Sequence, residues 1–342
     1  MPVLELAPPS AAPAPPAAAD GGEVEFRLLG PVEVRDPLTG ASIVPPGSKQ
    51  RALLSAFVVH AGQLLPGDRL TAELWGDRPP ANAANALQAH VARLRRLLPA
   101  PGGHPAGSDA VDSGREWIST LPAGYLLHLG PATTDVRRFH RLSAEGRAML
   151  ASDPGRAAEL LRRALAVWRG PALQDSGHGQ ICATEADRLE ENRLTTLETL
   201  YEASLRCARH GEITGELEKL TADHPLRERF YDLLMLALYR SGRQAEALGV
   251  YERARRRLRD ALGIEPGPAL RGRMEAILNH APALSAPAPS DAPVPVGATP
   301  DPGAELARLR RRVNELGREQ EALSRRIDDL TARLPRDLPA RL

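Results

Sequence analysis

Apolar and polar positions change period along the chain. Val24, Phe26 and Leu28 alternate with Glu25 and Arg27, and Val32 and Val34 alternate with Glu33 and Arg35. This two-residue period predicts short strands with one buried face. Pro37-Leu38-Thr39-Gly40 marks a turn, and Ile43-Val44 resumes an extended segment. Helical spacing begins after Pro46-Gly47, where Leu53, Leu54, Phe57 and Val58 form a stripe that ends at Gly62, with Ser48 in N-cap position. Asp68 is placed to cap a second short helix running through Leu70 and Leu74 to Trp75-Gly76. A third helix spans about 82–98 and carries Leu87, Val91, Leu94 and Leu98 on one face. Trp117-Ile118-Ser119-Thr120, Leu121-Pro122-Ala123-Gly124 and Tyr125-Leu126-Leu127 then read as strand, turn and strand. A small sheet, three helices and a hairpin, in that order, predict a winged helix-turn-helix.

From 131 to 280 the spacing is helical throughout. Helices are expected at about 135–150, 155–168, 183–209, 212–223, 226–241, 243–261 and 267–279. Ala157, Leu161 and Ala164 repeat the spacing of Ala247, Tyr251 and Ala254. Small, large and small residues at steps of four and three suit tetratricopeptide-like packing, although a generic helical bundle gives much of the same pattern. Residues 304–334 carry heptads, with Leu306, Val313, Gln320, Ile327 and Leu334 at a and Leu309, Leu316, Leu323 and Leu330 at d. Leu at d with Val and Ile at a favours a parallel two-stranded coil, and Gln320 would fix its register. The alternatives are docking onto another helix and a lone amphipathic tail. Residues 1–22 and 281–303 are rich in Pro and Ala and are read as a disordered tail and a linker. The expected architecture is therefore mainly α: an α+β winged helix over 23–130, an all-α domain over 131–280 and a C-terminal coiled-coil helix.

Composition narrows the function classes. Two cysteines cannot build a disulfide framework, which points to a reducing cytoplasm. No apolar run approaches the ~20 residues of a membrane span, and residues 1–22 lack the basic and apolar regions of a signal peptide. Net charge is +1, so no global excess of positive charge marks a nucleic-acid binder. Only Lys49 and Lys219 are lysines, which makes 42 of the 44 basic residues arginine. That excess is in keeping with a GC-rich coding bias.

Locally the balance is different. Residues 23–130 hold ten acids and ten bases, but 78–108 hold four arginines and no acid. Wound at about 100° per residue, the third helix places Asn85, Ala89, Ala92, Arg93 and Arg96 opposite its core stripe. Arg95 falls on one flank and His90 on the other. Small residues with long guanidinium arms can lie deep in a major groove, where Arg reads guanine and Asn or Gln reads adenine. A solvated amphipathic helix is the plainer reading of three arginines. The helix pair before it and the hairpin after it favour DNA.

The blocks FRLLGPVEV, GSKQRALLSAFVVHAG, DRLTAELWGDRPP, NALQAHVARLRRLL and LPAGYLL resemble, in order and spacing, the Streptomyces antibiotic regulatory protein family. So do ALAVWRGPAL, HPLRERFYDLLMLALYRSGRQAEALGVYERARRRL and ALGIEPGPAL in the second domain. The resemblance implies an OmpR/PhoB-type winged helix followed by a bacterial transcriptional activation domain. It further implies an activator of a biosynthetic gene cluster that binds direct repeats near a promoter and recruits RNA polymerase holoenzyme. On this reading Arg93 contacts a base, with Asn85, Gln88 and Ala89 nearby, while Arg95 and Arg96 contact phosphates or base edges. Lys49 and Arg51 would hold the DNA backbone. Ser119 and Thr120 lie on the wing, with Gly124 allowing its turn. Family wings commonly carry Arg before the turn proline, where this chain has Leu121, so the resemblance does not extend to insertion of the wing into the minor groove. The 75–83 loop corresponds to the segment that touches polymerase in this fold.

Other residues carry less. Trp75 and Tyr125 are expected in the core or a hinge, and Tyr239 and Tyr251 in packing. Cys182 and Cys207 lack CxxC spacing, the nine histidines lack metal-ligand spacing, and His178 sits in a loop unlike a phosphate cradle. The arginine run over 253–259 reads as a solvated helix face. No cofactor, metal site or catalytic constellation is expected. The competing reading is an interaction scaffold or ligand sensor whose winged helix does not bind DNA.

Overall fold

The computed structural model describes residues 24–36, 39–99, 117–130, 132–177 and 179–285. The expected 37–40 turn is thus only partly described. His178, the 1–22 tail and the 304–334 heptads, with Leu306, Leu309, Val313, Leu316, Gln320, Leu323, Ile327 and Leu330, lie outside the described residues.

Strands β1 (Glu25–Arg27), β2 (Glu33–Arg35) and β3 (Ser42–Ile43) form an antiparallel meander. Helix α1 (Ser48–Val59) follows, then β4 (Leu64–Pro66), α2 (Gly67–Trp75), α3 (Ala83–Leu97) and the hairpin β5 (Ile118–Leu121) and β6 (Gly124–Leu127). Strand β7 (Thr133–Thr134) pairs in parallel with β1 and completes a first sheet of order β3-β2-β1-β7. The second sheet has the order β4-β6-β5. The winged helix-turn-helix expected from the pattern is present. Strands β4 and β7 were not expected, because two or three residues with a proline or paired threonines carry no readable alternation.

Two helix starts differ from expectation. Ser48 is the first residue of α1, and the cap is Gly47, whose φ of 76° suits glycine. Asp68 lies inside the first turn of α2, where it complements the positive helix end, and the cap is Pro66.

Gly124 also has a different reason from the one expected. It pairs with Pro66 where β6 crosses β4, and its φ is 150°. A Cβ built there would lie 2.1 Å from the Leu65 carbonyl oxygen. Gly124→Ala is therefore expected to lose about 3 kcal/mol by overpacking, seen as a lower urea midpoint. An unchanged midpoint would mean that β4 is free to move away.

Beyond the wing come α4 (Asp135–Met149), α5 (Pro154–Leu165), α6 (Gln180–Arg206), α7 (His210–Asp223), α8 (Glu228–Arg240), α9 (Gln244–Leu262) and α10 (Pro268–Leu278). All seven expected helices are present. Thr134 and Asp153 cap α4 and α5 by accepting the N–H of Arg137 and Arg156. The expected small residues Ala157, Ala164, Ala247 and Ala254 are fully buried, as the close packing of α4 on α5, α5 on α6 and α8 on α9 requires. Residues 281–285, expected to open the linker, instead form a short turn at Pro282–Leu284 with Leu284 buried. The Arg240 guanidinium donates to the Leu284 and Ser285 carbonyls there.

One hydrophobic core runs without a break from Phe26, Leu53, Phe57 and Leu94 through Ile118 to Phe139, Leu160, Cys182 and Leu189. The winged helix thus shares its core with α4, α5 and the start of α6. A second core joins α7 to α10 around Phe230, Leu234, Val250 and Ile277.

Candidate nucleic-acid interface

The core stripe of α3 fixes which of its faces is free. Leu87, Val91, Leu94 and Leu98 are buried. Asn85, Gln88, Ala89, Arg93 and Arg96 are exposed, and Ala92 is half-buried. The Asn82 side chain accepts the Asn85 N–H and closes the helix start. Among the described residues neither Arg93 nor Arg96 has an ion-pair partner, which leaves two guanidinium groups on one open face.

Other expected contact residues already serve the fold. Arg95 lies on the wing flank and donates to the Ile118 carbonyl (3.0 and 2.7 Å) and the Thr120 hydroxyl (2.9 Å). It fastens α3 to β5. Arg51 donates to the Asp175 carbonyl (2.9 Å) and the Pro45 carbonyl (3.1 Å). It ties α1 to the loop before α6 instead of reaching outward. The Lys49 ammonium lies over the Trp75 ring, 4.8 Å from its centroid. Ser119 shares a hydrogen bond of 3.1 Å with His128, and Leu121 at the wing tip is exposed. Tyr125 is buried and meets Phe57 edge-on, while Trp75 is only half-buried.

The winged helix is tied to the helices that follow it by two buried carboxylates not singled out from the sequence. Glu73 sits on the apolar face of α2 between Leu70 and Leu74 and is buried. Its carboxylate accepts the N–H groups of Ile181 (2.7 Å) and Cys182 (3.0 Å) at the start of the 27-residue helix α6. There it satisfies two orphan donors and faces the positive helix end. Gly179 is needed beside it, because a Cβ would meet the Glu73 carboxylate at 2.2 Å.

Asp135 does the same for the sheet. It is 1% exposed and accepts from the N–H groups of Leu28 (2.8 Å) and Leu29 (2.9 Å). Burial pushes its carboxyl up from the ordinary range, opposed by those two donors and by Arg169. Arg169 also pairs with Glu33 (2.8 Å), and the N–H groups of Arg169, Leu173 and Gln174 donate to the carbonyls of Leu29, Leu28 and Gly30. The available signal for Glu73 was an acid on an otherwise apolar helix stripe. For Asp135 it was an acid after Thr-Thr at a helix start.

The chemistry of the remaining candidates is quiet. Cys182 is buried, and burial with the nearby Glu73 carboxylate pushes its thiol well above the ordinary range. It therefore stays protonated and is a poor nucleophile or metal ligand. Among the described residues no group of three or more His, Cys, Asp or Glu could hold a metal ion. No described helix is long and apolar enough to cross a membrane. A cleft of about 1040 Å³ opens beside α2, lined by Lys49, Arg69, Glu73, Asp77, Arg78 and Glu185 among others. Its charged walls differ from the mainly apolar pockets that hold small ligands.

Comparison with known proteins gives this geometry a lineage. The family model described as "Transcriptional regulatory protein, C terminal" matches residues 42–109, and "Bacterial transcriptional activator domain" matches residues 134–278. The chain is 42% identical over 267 residues to the transcriptional regulator RedD of Streptomyces coelicolor, covering 78% of this chain and 74% of RedD. It is 37% identical to the regulatory protein DnrI of Streptomyces peucetius, covering 76% of this chain and 94% of DnrI. The chain belongs to the Streptomyces antibiotic regulatory protein family of transcriptional activators. A solved structure extends the likeness of this family member to the fold: Mycobacterium tuberculosis EmbR in complex with a low-affinity phosphopeptide, at TM-score 0.67 and 35% identity. That match covers 75% of this chain and 65% of EmbR. The winged helix and helical domain of this family member thus occur together in an experimentally determined relative.

Proposed function

We propose that this activator reads double-stranded promoter DNA with the exposed face of α3 and switches on a secondary-metabolite gene cluster. The observation that carries the reading is that face itself. Asn85, Gln88, Ala89, Arg93 and Arg96 stand clear of the core on a helix held from both flanks. Arg93 reads a base, Asn85 and Gln88 are placed for adenine, and Ala89 and Ala92 allow close approach. Arg96, Lys49 and the wing residues Ser119 and Thr120 lie along the DNA backbone, which positions the protein without reading sequence. Arg95 and Arg51 contribute by holding α3 and α1 in place.

Two copies bind a direct repeat, and the 304–334 heptads join them as a homodimer. The helical domain and the 75–83 loop face RNA polymerase holoenzyme. The site of action is the cytoplasm, on the nucleoid. The antibiotic-regulator family and the relatives RedD and DnrI support the cluster-activator reading. Genome-wide mapping of bound DNA tests it, with direct repeats upstream of a biosynthetic cluster as the expected result. Deleting 304–342 is expected to lower the mass found by sedimentation equilibrium from dimer to monomer. The same mass with and without the tail would refute the role of the heptads.

A further inference from the structure

His90 is the one polar residue of α3 that the proposed readout leaves unused, and its surroundings are built. It lies about 100° round the helix from Ala89, on the flank opposite Arg95. From α1 it faces Lys49 and Gln50, from α2 it faces Trp75 at 5.9 Å between ring centroids, and on its own helix it faces Arg93.

Gln50 determines the tautomer. It is 5% exposed, and its side-chain amide nitrogen lies 3.1 Å from His90 Nδ1 and 3.4 Å from the His90 carbonyl oxygen. A carbonyl can only accept, so the amide NH2 is the group that faces His90. Nδ1 must then accept as well, and the ring proton sits on Nε2. Nε2 has no hydrogen-bond partner among the described residues. Burial, then the Arg93 and Lys49 charges, hold the imidazole below its ordinary range. The ring is therefore neutral at pH 7, with its one N–H turned away from Gln50.

We propose that Lys49 and His90 form a phosphate-binding patch at the edge of the recognition helix, in which His90 is a neutral Nε2–H donor and Gln50 the residue that positions it. This rests on the DNA-binding reading above. A phosphate oxygen suits the site because the Lys49 and Arg93 charges act on it and the donor itself carries no charge to be repelled by them. A neutral donor releases no counterion, so its loss must weaken binding without changing the salt dependence.

The test uses the full chain and a fluorescent duplex from its own upstream promoter, alongside a scrambled duplex, over a salt series. His90→Ala is expected to weaken both complexes by about tenfold to a hundredfold, the loss of one hydrogen bond in each of two copies, with the salt slope unchanged. His90→Gln, whose amide nitrogen reaches the place of Nε2, is expected to restore affinity to within about twofold. Lys49→Ala is expected to lower the salt slope by about two, one for each copy on the repeat. The ratio of wild-type to His90→Gln affinity is expected to stay constant from about pH 7 to about pH 8. Wild-type affinity in His90→Ala would overturn the proposal. So would equal weakness of both His90 variants, which would make the ring a packing group against Trp75. A lower salt slope in His90→Ala, or a ratio that rises as pH falls, would mean a charged histidine and would also overturn it. If the wild-type protein itself shows no salt-dependent binding, the DNA reading fails instead.

Discussion

Replacing Arg93 with alanine is expected to abolish discrimination between the native promoter and a scrambled duplex while leaving the fold intact. The guanidinium is exposed and has no ion-pair partner among the described residues, so the unfolding midpoint should barely move. A bidentate arginine–guanine contact contributes about 1–3 kcal/mol of discrimination. On the proposed direct repeat two copies of Arg93 would be engaged, which would double the loss. Phosphate contacts persist in the variant, so weak binding to any DNA should survive with a salt slope lower by about two at most. Gel-shift titration measures both quantities. Unchanged affinity for the native promoter would remove Arg93 from the interface.

The second large effect is expected at Glu73. Alanine there leaves the Ile181 and Cys182 N–H groups buried without acceptors, at about 1–3 kcal/mol each. It also removes a carboxylate from the positive end of α6, which adds up to about 1 kcal/mol. A loss of about 3–5 kcal/mol is expected in chemical denaturation. Glu73→Gln keeps one acceptor, so it should fall between wild type and alanine. Because α2 packs against α3 and α6 starts on α2, promoter affinity should fall with stability even though Glu73 lies outside the proposed contact face. Full stability in Glu73→Ala would show that α6 is capped in another way.

Most elements could be read from the sequence because their signals were local. The period-2 run from Val24 to Val34, the α3 core stripe and all seven later helices follow from spacing alone. Strands β4 and β7 escaped because each exists only through its partner. Leu64–Pro66 is extended because β6 lies against it, and Thr133–Thr134 because β1 does. The face of α3 was readable for the same reason as its core, since one helix period determines both. Its flanks were not. That Arg95 grips Ile118 and Arg51 grips Asp175 depends on residues 23 and 124 positions away. Glu73 and Asp135 were missed because their partners are backbone N–H groups more than 100 positions distant. Arginine excess first suggests coding bias. The fold separates the arginines that hold the protein together, such as Arg95 and Arg169, from those left facing outward, such as Arg93.

The central claim is that an electrically near-neutral chain reads DNA through one helix face. It is tested most directly by titrating the full chain against a promoter duplex and a scrambled one across a salt series. The expected result is a log–log slope of several for both, reflecting several phosphate contacts, and a preference for the promoter of at least about a thousandfold. A slope near zero, or equal affinity for the two duplexes, would contradict it.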